Sequence, residues 1–427
     1  MEFAASRPTG ELHVILVAPN VSEQMGGEAI KALHVYLELE RQSVVVHQVT
    51  HERVRHELTQ NFPTMHVSYI ADTWLERLLY RGRIFEPLLN MIFLRSAGKE
   101  AKRLVKASPG AIVHFTSPIS PIVPYPYLGE IPVVIGPING NIHHPPAFRQ
   151  RESLTSRVRR LLHPSIQHIQ RLILPGKRRA VALLVAGGER TYESLILAGC
   201  RREQFIDSLD SGVEDRLYVS PRITHSGKNL RFFFLGRLIG YKGVDLIIRS
   251  LSRTRNLIEL DVIGQGPELE GLKALTASLS LENRVRFVGW IQHSEMEERL
   301  RHYRGFVFPS LAEANGIVVQ EAMVQGMPVI ALNWGGPSQL VTPDTGILIE
   351  PLSEEHVISE LARTMDLLAE DGDLAETLSV AARRQAVSEG YLWPDVIRRW
   401  LGVYKRVLQT GASPVGDRNA ERVRNTG

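Results

Sequence analysis

The chain alternates short apolar runs with segments of helical length, and this alternation limits the fold more than any other feature of the sequence. In its clearest example, residues 305–308 form an apolar run, 316–325 have the length of a buried helix, and 328–332 form a second apolar run. The same alternation begins at residues 12–18 and again at 231–235. Strands that alternate with helices form parallel, doubly wound sheets. The sequence therefore predicts an α/β protein.

Two separate series of strands and helices indicate two domains, and a length of 427 residues is sufficient for them. Between the two series, residues 218–228 lack periodicity and contain Pro and Gly, which is typical of a linker. We therefore predict an N-terminal Rossmann-like domain over residues 1–222 and a C-terminal one over 223–394. The polar segment 411–427 is predicted to be a disordered tail.

The composition indicates a cytoplasmic protein. Hydrophobic residues make up 44% and charged residues 22% of the chain, as in ordinary soluble globular proteins. The formal net charge of +4 is modest for this length and does not indicate nucleic acid as a partner. Cys200 is the single cysteine, which excludes an intramolecular disulfide and is typical of a reducing compartment. The apolar run 12–19 is too short for a signal-peptide core, and no run reaches the roughly 18 apolar residues that span a bilayer.

Basic residues are concentrated in one part of the chain. Between residues 149 and 179, nine basic residues accompany one acidic residue, Glu152. Such a segment is either the solvated face of a helix or a patch for an anionic surface, namely a membrane or a phosphorylated acceptor. Segment 72–106 has a wide apolar face, which either packs on a sheet or lies on a membrane. If either segment meets a membrane, the protein lies peripherally on its inner face.

Two carboxylates bracket the strand-to-helix turn of the 305–332 unit. Glu313 precedes the helix and Glu321 lies eight positions later, inside it. Asn315 is predicted to cap this helix and to leave its first amides available for an anion. Those amides belong to Gly316, Ile317 and Val318. The turn thus suits a ligand with phosphate at one end and sugar at the other, although either glutamate taken alone reads as a surface residue.

The string from Glu313 to Met323, followed by Gly326-Met-Pro-Val-Ile and Gly335-Gly336-Pro337, resembles the E-x7-E region of retaining glycosyltransferases of family 4. The resemblance extends over nearly the whole chain and is most specific over residues 232–350. It implies the GT-B architecture, with two Rossmann-like domains and a cleft between them. It also implies that a C-terminal helix, residues 395–410, packs back on the first domain. The implied activity is transfer of a sugar from a nucleoside diphosphate sugar to an acceptor hydroxyl, with retention of configuration, in glycan, polysaccharide or glycolipid synthesis.

Arg237 and Lys242 are the predicted catalytic cations. They flank the first turn of the second domain in the pattern G-R-L-x3-K-G, and they match the diphosphate-binding pair of the family. A diphosphate leaving group accumulates charge as the glycosidic bond breaks, and fixed cations in a water-poor site stabilise that charge. The alternative is a solvated Arg and Lys on the surface.

The resemblance assigns further donor contacts in the second domain. Glu321 is implied to bind the ribose hydroxyls, and Glu313, which is predicted to be catalytic like His114 of the first domain, is implied to bind the sugar near its anomeric centre. The amides after Asn315 are implied to hold sugar hydroxyls and phosphate. Gly264 begins a turn beside the nucleotide, and Trp290 lies in the segment whose backbone meets the base. Nucleoside diphosphate sugar is thus expected as a co-substrate, and no cofactor is expected.

The first domain is predicted to supply the acceptor side. Gly26 and Gly27 open the first helix, where glycine lets a backbone approach a ligand closely, and the matching loop of the family faces the donor diphosphate and the acceptor. His114 ends a buried strand and matches a family histidine near the transferred sugar. A histidine there accepts a proton or positions a hydroxyl, unless it is a satisfied core residue.

A loop rich in proline and glycine, residues 136–146, completes the predicted acceptor side. Its polar members are Asn139, His143 and His144. Adjacent histidines diverge in direction, and these two lack nearby carboxylates, so no metal site is predicted. The expected acceptor is a glycan, a lipid-linked sugar or a small molecule.

Two departures from the family pattern affect the sugar that is transferred. Asn315 stands where the family usually has an aromatic or small residue, and Gln339 stands where it often has glutamate. Two other functions remain open on the same fold. One is a nucleotide-sugar 2-epimerase, which needs no acceptor. The other is a non-catalytic subunit that binds a sugar nucleotide or a carbohydrate.

Overall fold

The computed structural model describes residues 11–73 and 86–410, and the chain divides into two compact units. The first unit comprises the described residues of Met1–Asn141, Leu162–Asp210 and Trp393–Gly427, and the second comprises Ile142–Leu161 and Ser211–Leu392. The longer stretch of the second unit begins at Ser211, so the predicted domain boundary after residue 222 lies inside that stretch. The predicted tail 411–427 and the part of segment 72–106 between residues 74 and 85 lie outside the described residues.

A seven-stranded parallel sheet organises the first unit. In chain order its strands are β1 (His13–Val17), β2 (Val45–His51), β3 (Val67–Ile70), β4 (Ile112–Phe115), β5 (Val133–Ile138), β6 (Ala182–Val185) and β7 (Phe205–Asp207). They lie side by side in the order β3-β2-β1-β4-β5-β6-β7. The direction of progression reverses between β1 and β4.

A six-stranded parallel sheet organises the second unit. Its strands are β8 (Arg231–Leu235), β9 (Glu259–Ile263), β10 (Val285–Gly289), β11 (Gly305–Phe308), β12 (Val329–Leu332) and β13 (Gly346–Ile349). Their lateral order is β10-β9-β8-β11-β12-β13, which reverses direction between β8 and β11. Two parallel doubly wound sheets confirm the predicted α/β fold with two Rossmann-like domains.

Helices follow most strands, as the sequence predicts. In chain order the α-helices over the described residues are α1 (Gly27–Arg41), α2 (Arg55–Asn61), α3 (Glu86–Ala107), α4 (Leu154–Ile173), α5 (Gly176–Arg179), α6 (Glu189–Leu197), α7 (Asp215–Val219), α8 (Val244–Leu251), α9 (Leu269–Ser278), α10 (His293–Leu300), α11 (Ile317–Val324), α12 (Pro337–Leu340), α13 (Glu354–Glu370), α14 (Gly372–Ser388) and α15 (Trp393–Thr410). Among the residues that the structure describes, none of these helices combines the length and the apolar character that crossing a bilayer requires.

Alternating side chains of the first sheet supply two cores, one on each face. In β1, Ile15 and Val17 join a cluster that contains Phe93 of α3, whereas Val14 and Leu16 join a cluster on the opposite face. That second cluster is completed by α1 and α15, which contribute Tyr36, Leu39, Trp400 and Tyr404. The terminal helix is therefore part of the first unit, where it packs against α1.

The predicted linker is packed against the second unit and is not a free connection. Within residues 218–228, the side chain of Arg222 forms an ion pair with Glu376. The backbone amide of His225 donates to the Glu376 carboxylate at 2.8 Å, and the amide of Ile223 donates to the carbonyl of Gln325 at 3.1 Å. The sequence could not show this packing, because Pro and Gly remove periodicity from a packed segment as readily as from an exposed one.

Candidate functional site

The reversal of strand order in the second unit brings two predicted loops together. The loop after β8 covers residues 236–243, and the loop after β11 covers 309–316. Leu311 donates its amide to the carbonyl of Tyr241 at 2.7 Å. Gly243 has a φ of +71°, and an added Cβ there would overlap the carbonyl oxygen of Pro309. Ligands of open α/β sheets bind in the crevice at such a reversal, beyond the carboxyl ends of the strands.

Two predicted catalytic residues meet in this crevice. The ammonium of Lys242 and the carboxylate of Glu313 form an ion pair, and their side chains are only 14% and 17% exposed. The Lys242 Nζ also lies 4.9 Å from the centroid of the Phe308 ring, which favours a cation. Glu313 therefore holds Lys242 in place at the end of β11.

Arg237 is exposed beside this pair. Within residues 11–73 and 86–410, its guanidinium makes no hydrogen bond or ion pair, so its charge is available to a ligand. Tyr241 is a neighbour of both Arg237 and Glu313. Burial raises the pKa of Tyr241, the charge of Glu313 raises it further, and the charge of Arg237 opposes the rise. The loop after β8 thus carries two cations, of which one is already compensated.

The start of α11 differs from the prediction. The cap residue is Gly316, whose φ of +82° is left-handed, and no side chain caps the helix. The Asn315 side-chain amide instead donates to Ser211 Oγ at 3.3 Å and to Gln320 Oε1 at 3.2 Å. The predicted Asn315 cap was wrong because a left-handed glycine at the cap position turns the chain into the helix unaided.

The amides at the start of α11 nevertheless remain donors at the crevice. Val319 and Gln320 both donate to the carbonyl of Gly316, at 2.8 and 3.2 Å. The amides of Ile317 and Val318 precede them and have no acceptor inside the helix. A helix start of this kind favours an anion.

A third loop closes on the same turn from β12. The amide of Gly336 donates to the carbonyl of Glu313 at 2.9 Å. A Cβ added at Gly335 would lie 2.6 Å from the Glu313 carbonyl oxygen, and one at Gly336 would lie 2.5 Å from that of Asn315. The Gly335-Gly336 pair is thus required by this close approach, and it fixes the backbone that carries Glu313.

Glu321 lies on α11, five residues after the Gly316 cap, and is half-buried. Burial raises its pKa to about 7, the neighbouring Glu214 adds to the rise, and Arg216 opposes it. Arg216 forms ion pairs with Glu214, at 2.5 Å, and with Glu297. Glu214 and Arg216 were not predicted as site residues, because they precede the second sheet in sequence and carry no local motif.

The raised pKa of Glu321 predicts a pH-dependent stability. A carboxyl whose pKa is higher in the folded than in the unfolded protein stabilises the fold below its unfolded pKa, and that contribution is lost as the pH rises through the folded pKa. For Glu321 the window runs from about 4.3, the ordinary value, to about 7. We expect the free energy of unfolding of the native protein, relative to that of Glu321→Gln, to fall between pH 4.5 and pH 7.5. Urea unfolding of both proteins measures this difference, and identical pH profiles would contradict the assignment.

Two predicted donor residues lie at the ends of neighbouring strands. Gly264 follows β9 with a φ of +137°, and a Cβ there would overlap the carbonyl oxygen of Gly236. Its turn therefore packs on the turn after β8. Trp290 follows Gly289 at the end of β10 and is 67% exposed. The two residues lie at the carboxyl ends of β9 and β10, on the same edge of the parallel sheet as the crevice.

The glycines of the first unit lie in open space. A Cβ added at Gly26 or Gly27 would have no protein atom within 4 Å, so packing does not require glycine there. The next residue, Glu28, accepts a hydrogen bond from Ser117 Oγ at 2.6 Å. Because Ser117 follows β4, this contact lies at the reversal of strand order in the first sheet, between β1 and β4.

His114 has the environment of a core histidine. It is fully buried, its Nδ1 lies 2.6 Å from the Tyr404 hydroxyl, and its Nε2 lies 2.8 Å from the carbonyl oxygen of Gly136. Burial lowers its pKa to about 3. With both ring nitrogens bonded to protein groups, His114 gains no support for the predicted acceptor role. The alternative weighed for it, a satisfied core residue, matches its surroundings.

The three predicted acceptor-side residues fall in different units. Asn139 belongs to the first unit, where its Oδ1 accepts from Arg190 Nη2 at 3.1 Å. His143 and His144 belong to the second unit. The carbonyl of His143 accepts from Trp334 Nε1 at 2.8 Å, and burial lowers the pKa of His144. Over the described part of the chain, no group of three or more His, Cys, Asp or Glu side chains is placed to hold a metal ion.

Residues 220–385 match the family described as Glycosyl transferases group 1. The 2-deoxystreptamine N-acetyl-D-glucosaminyltransferase of Niallia circulans is 30% identical over 175 residues, which cover 40% of this chain and 44% of that protein. The chain spans about half the length of the curated relatives that it matches.

Solved structures resemble the chain over most of its length. A glycosyltransferase from Rickettsia africae superposes with a TM-score of 0.65 at 15% identity, covering 93% of this chain and 99% of that one. HepE from Anabaena, in complex with UDP and glucose, superposes with a TM-score of 0.62 at 18% identity, covering 93% and 100%. The chain therefore has the GT-B fold, and its residues 220–385 are similar to the Glycosyl transferases group 1 family.

Proposed function

We propose that the chain is a retaining glycosyltransferase that moves a sugar from a nucleoside diphosphate sugar to an acceptor hydroxyl. The observation that carries this proposal is the pairing of Lys242 with Glu313 beside the uncompensated Arg237, at the strand-order reversal of a group 1 domain. The complexes of HepE with UDP and glucose, and with UDP-glucose, support a nucleoside diphosphate sugar as the donor class for this fold.

The donor diphosphate would be bound by groups that already converge on one crevice. Arg237 offers a guanidinium that can bind two phosphate oxygens at once. The amides of Ile317 and Val318 offer donors at a helix start. Lys242 would exchange its carboxylate partner for a phosphate oxygen. That exchange would leave the Glu313 carboxylate, held by the Gly335-Gly336 turn, free to accept hydrogen bonds from sugar hydroxyls.

Bond breaking would then be assisted by the same two cations. As the bond between the anomeric carbon and the phosphate oxygen breaks, negative charge grows on the leaving diphosphate, and Lys242 and Arg237 stabilise it in a site of low dielectric. The acceptor oxygen forms the new bond on the same face of the sugar and gives its proton to the leaving phosphate oxygen. The chain then needs no nucleophile of its own, which suits a crevice whose reacting groups are two cations and a carboxylate.

Glu321 would serve the nucleoside end of the donor. With a pKa near 7, its carboxyl can either accept from or donate to a ribose hydroxyl at neutral pH. Arg216, which is paired with Glu214 and Glu297, keeps the pKa of Glu321 from rising further.

A panel of nucleoside diphosphate sugars tests donor binding directly. At a ligand concentration about 100 times the Kd, mass action stabilises the folded protein by about 2.7 kcal/mol. For a domain of this size we expect the Tm to rise by about 5–10 °C with the matching nucleotide sugar. Free monosaccharide is the control and should leave the Tm unchanged, and Arg237→Ala should reduce the rise. A panel without any shift at millimolar ligand would contradict the proposal.

The products then identify the reaction. With the stabilising donor and a panel of acceptor hydroxyls, transfer releases nucleoside diphosphate in proportion to the new glycoside. An epimerase converts the donor without acceptor and releases no diphosphate. A non-catalytic subunit binds the donor and changes nothing.

A further inference from the structure

Helix α4 (Leu154–Ile173) turns polar side chains into the protein. His163, Gln167 and Gln170 are its buried residues. The Nε2 of His163 lies 2.9 Å from Ser194 Oγ, and the Gln167 side-chain amide donates to Ser194 Oγ at 2.7 Å and to the carbonyl of Pro121 at 3.0 Å. Gln170 donates to the carbonyl of Ile122. A helix on the surface of a globular protein normally buries the opposite, apolar side.

The other side of α4 exposes a row of large apolar side chains. They recur at helical spacing and lie opposite the buried polar residues. This α4 apolar face consists of Leu154, Val158, Leu161, Leu162, Ile169, Leu172 and Ile173. It runs along a helix of 20 residues, which is about 30 Å long. Large exposed apolar patches of this kind mark sites of interaction.

The charges on α4 are all positive. The helix contains four arginines and no aspartate or glutamate. By helical position, Arg157 and Arg159 lie on opposite flanks of the α4 apolar face. Over the described residues, Arg159 and Arg171 form no ion pair, whereas Arg160 is paired with Glu152 at 3.2 Å. An apolar row with cationic flanks therefore faces solvent.

This charge pattern selects the chemistry of the partner. A second copy of the chain, using the same face, would bring two rows of arginine together without a carboxylate between them. A bilayer with anionic headgroups offers an apolar interior to the leucines and isoleucines of the face and negative charge to its flanking arginines. Apolar side chains of an interfacial helix enter the boundary between headgroups and acyl chains by about 5–10 Å, and flanking arginines meet the lipid phosphates.

We propose that the α4 apolar face docks the protein on an anionic lipid bilayer. The inference is independent of the proposed sugar transfer, because it rests on the exposed side of one helix. It also selects between the two interpretations of the basic segment 149–179. Two of the four arginines on α4, Arg157 and Arg159, flank an apolar surface, and a merely solvated helical face has no such surface.

Flotation of the full-length protein with lipid vesicles tests the proposal. Vesicles of phosphatidylcholine alone are compared with vesicles that contain equal amounts of phosphatidylcholine and phosphatidylglycerol. Both are used at about 0.1 M and about 0.5 M salt, between which the Debye length falls from about 10 Å to about 4 Å. We expect binding to the anionic vesicles, and weaker binding at the higher salt. Leu161→Ser with Leu172→Ser should lower the partition coefficient by about tenfold or more, because each leucine loses its apolar burial.

A matched pair of leucines controls for the loss of apolar surface in general. Leu161 and Leu172 are 70% and 78% exposed, and Leu257 and Leu352, outside α4, are 72% and 66% exposed. Leu257→Ser with Leu352→Ser should therefore float like the native protein. All four positions are on the surface, and circular dichroism verifies that each variant is folded.

A fluorescent reporter separates insertion from electrostatic contact. In Leu161→Trp, the indole should shift its emission to the blue on anionic vesicles and should be quenched by brominated acyl chains. Three outcomes overturn the proposal. In the first, the variant with Leu161→Ser and Leu172→Ser binds vesicles like the native protein, and in the second, the control variant with Leu257→Ser and Leu352→Ser loses as much binding. In the third, neither the native protein nor the Leu161→Ser, Leu172→Ser variant binds vesicles, and the native protein is a dimer that the two substitutions dissociate. The first would point to charge alone, and the last to a second copy of the chain.

Discussion

Replacing Lys242 with alanine is expected to lower the rate of sugar transfer by about 100- to 1000-fold while the protein stays folded. Losing one fixed group that stabilises developing charge has an effect of this size in other enzymes. In this chain the ammonium lies at the end of β11, paired with Glu313 and mostly buried, so no other side chain of the described site replaces it. The rate is measured as release of nucleoside diphosphate, with the donor and acceptor identified above.

Lys273 provides the matched control. It belongs to the same unit and pairs with Glu270 at 2.9 Å, but both side chains are exposed, in the surface helix α9. Exposed pairs contribute little to stability. Lys273→Ala should therefore leave both turnover and the free energy of unfolding nearly unchanged. If Lys242→Ala transferred sugar within threefold of the native rate, the proposed role of Lys242 would be wrong.

Glu313→Gln separates a structural from a functional role for the pair. In the free protein Glu313 competes with a diphosphate for Lys242, so removing its charge should strengthen the binding of UDP, as measured by calorimetry. Turnover should fall, because the carboxylate that orients the sugar is gone. If the ion pair were merely structural, Glu313→Gln would not combine tighter UDP binding with lower turnover. The double variant with Lys242→Ala and Glu313→Gln should be more stable than Lys242→Ala alone, because it leaves no unpaired buried charge, but it should not regain activity.

The parallel sheets could be predicted because apolar runs and glycine turns mark them locally. Strands 231–235, 305–308 and 346–349 lie where the apolar runs predict them. Strand β3 (Val67–Ile70) was missed, since its side chains are all half-buried and its sequence, V-S-Y-I, has no continuous apolar run. A short strand at the edge of a sheet gives little sequence signal.

Helix α4 shows why its solvent-facing side could not be assigned from periodicity. The rule that the apolar side is the buried side fails for it, because His163, Gln167 and Gln170 are inside. Their hydrogen bonds to Ser194 and to the backbone near Pro121 depend on contacts between distant parts of the chain. Sequence alone therefore indicated only that the segment was basic.

Within the candidate site, residues joined by one motif were predicted and residues joined by the fold were not. Lys242 and Glu313 come from two recognisable strings, and the structure brings them together. Glu214 and Arg216 reach Glu321 only because the segment before the second sheet packs on α11. The sequence predicted Asn315 as the cap of α11 because asparagine side chains often cap helices. The cap is Gly316 instead, because the left-handed backbone conformation of a glycine decides where this helix begins.

Gly264→Ala is expected to destabilise the second unit by about 3–5 kcal/mol, among the larger effects of a single substitution. The φ of +137° belongs to a region that residues with a side chain rarely adopt, which costs about 1–3 kcal/mol. In addition, the new Cβ would overlap the carbonyl oxygen of Gly236, a backbone atom that cannot move without shifting the loop that carries Arg237. The same substitution should therefore weaken UDP binding, although Gly264 contributes no side chain to the site.

Gly271→Ala tests whether this effect arises from the backbone and its neighbours. Gly271 lies in α9, seven residues further on, and a Cβ added there would have no neighbouring atom within 4 Å. Alanine is favoured over glycine in a helix, so this variant should be neutral or more stable by about 0.5 kcal/mol. Urea unfolding of the three proteins compares the two sites. Equal, small effects at both positions would mean that the turns after β8 and β9 are not packed as described, and that the position of Arg237 does not depend on Gly264.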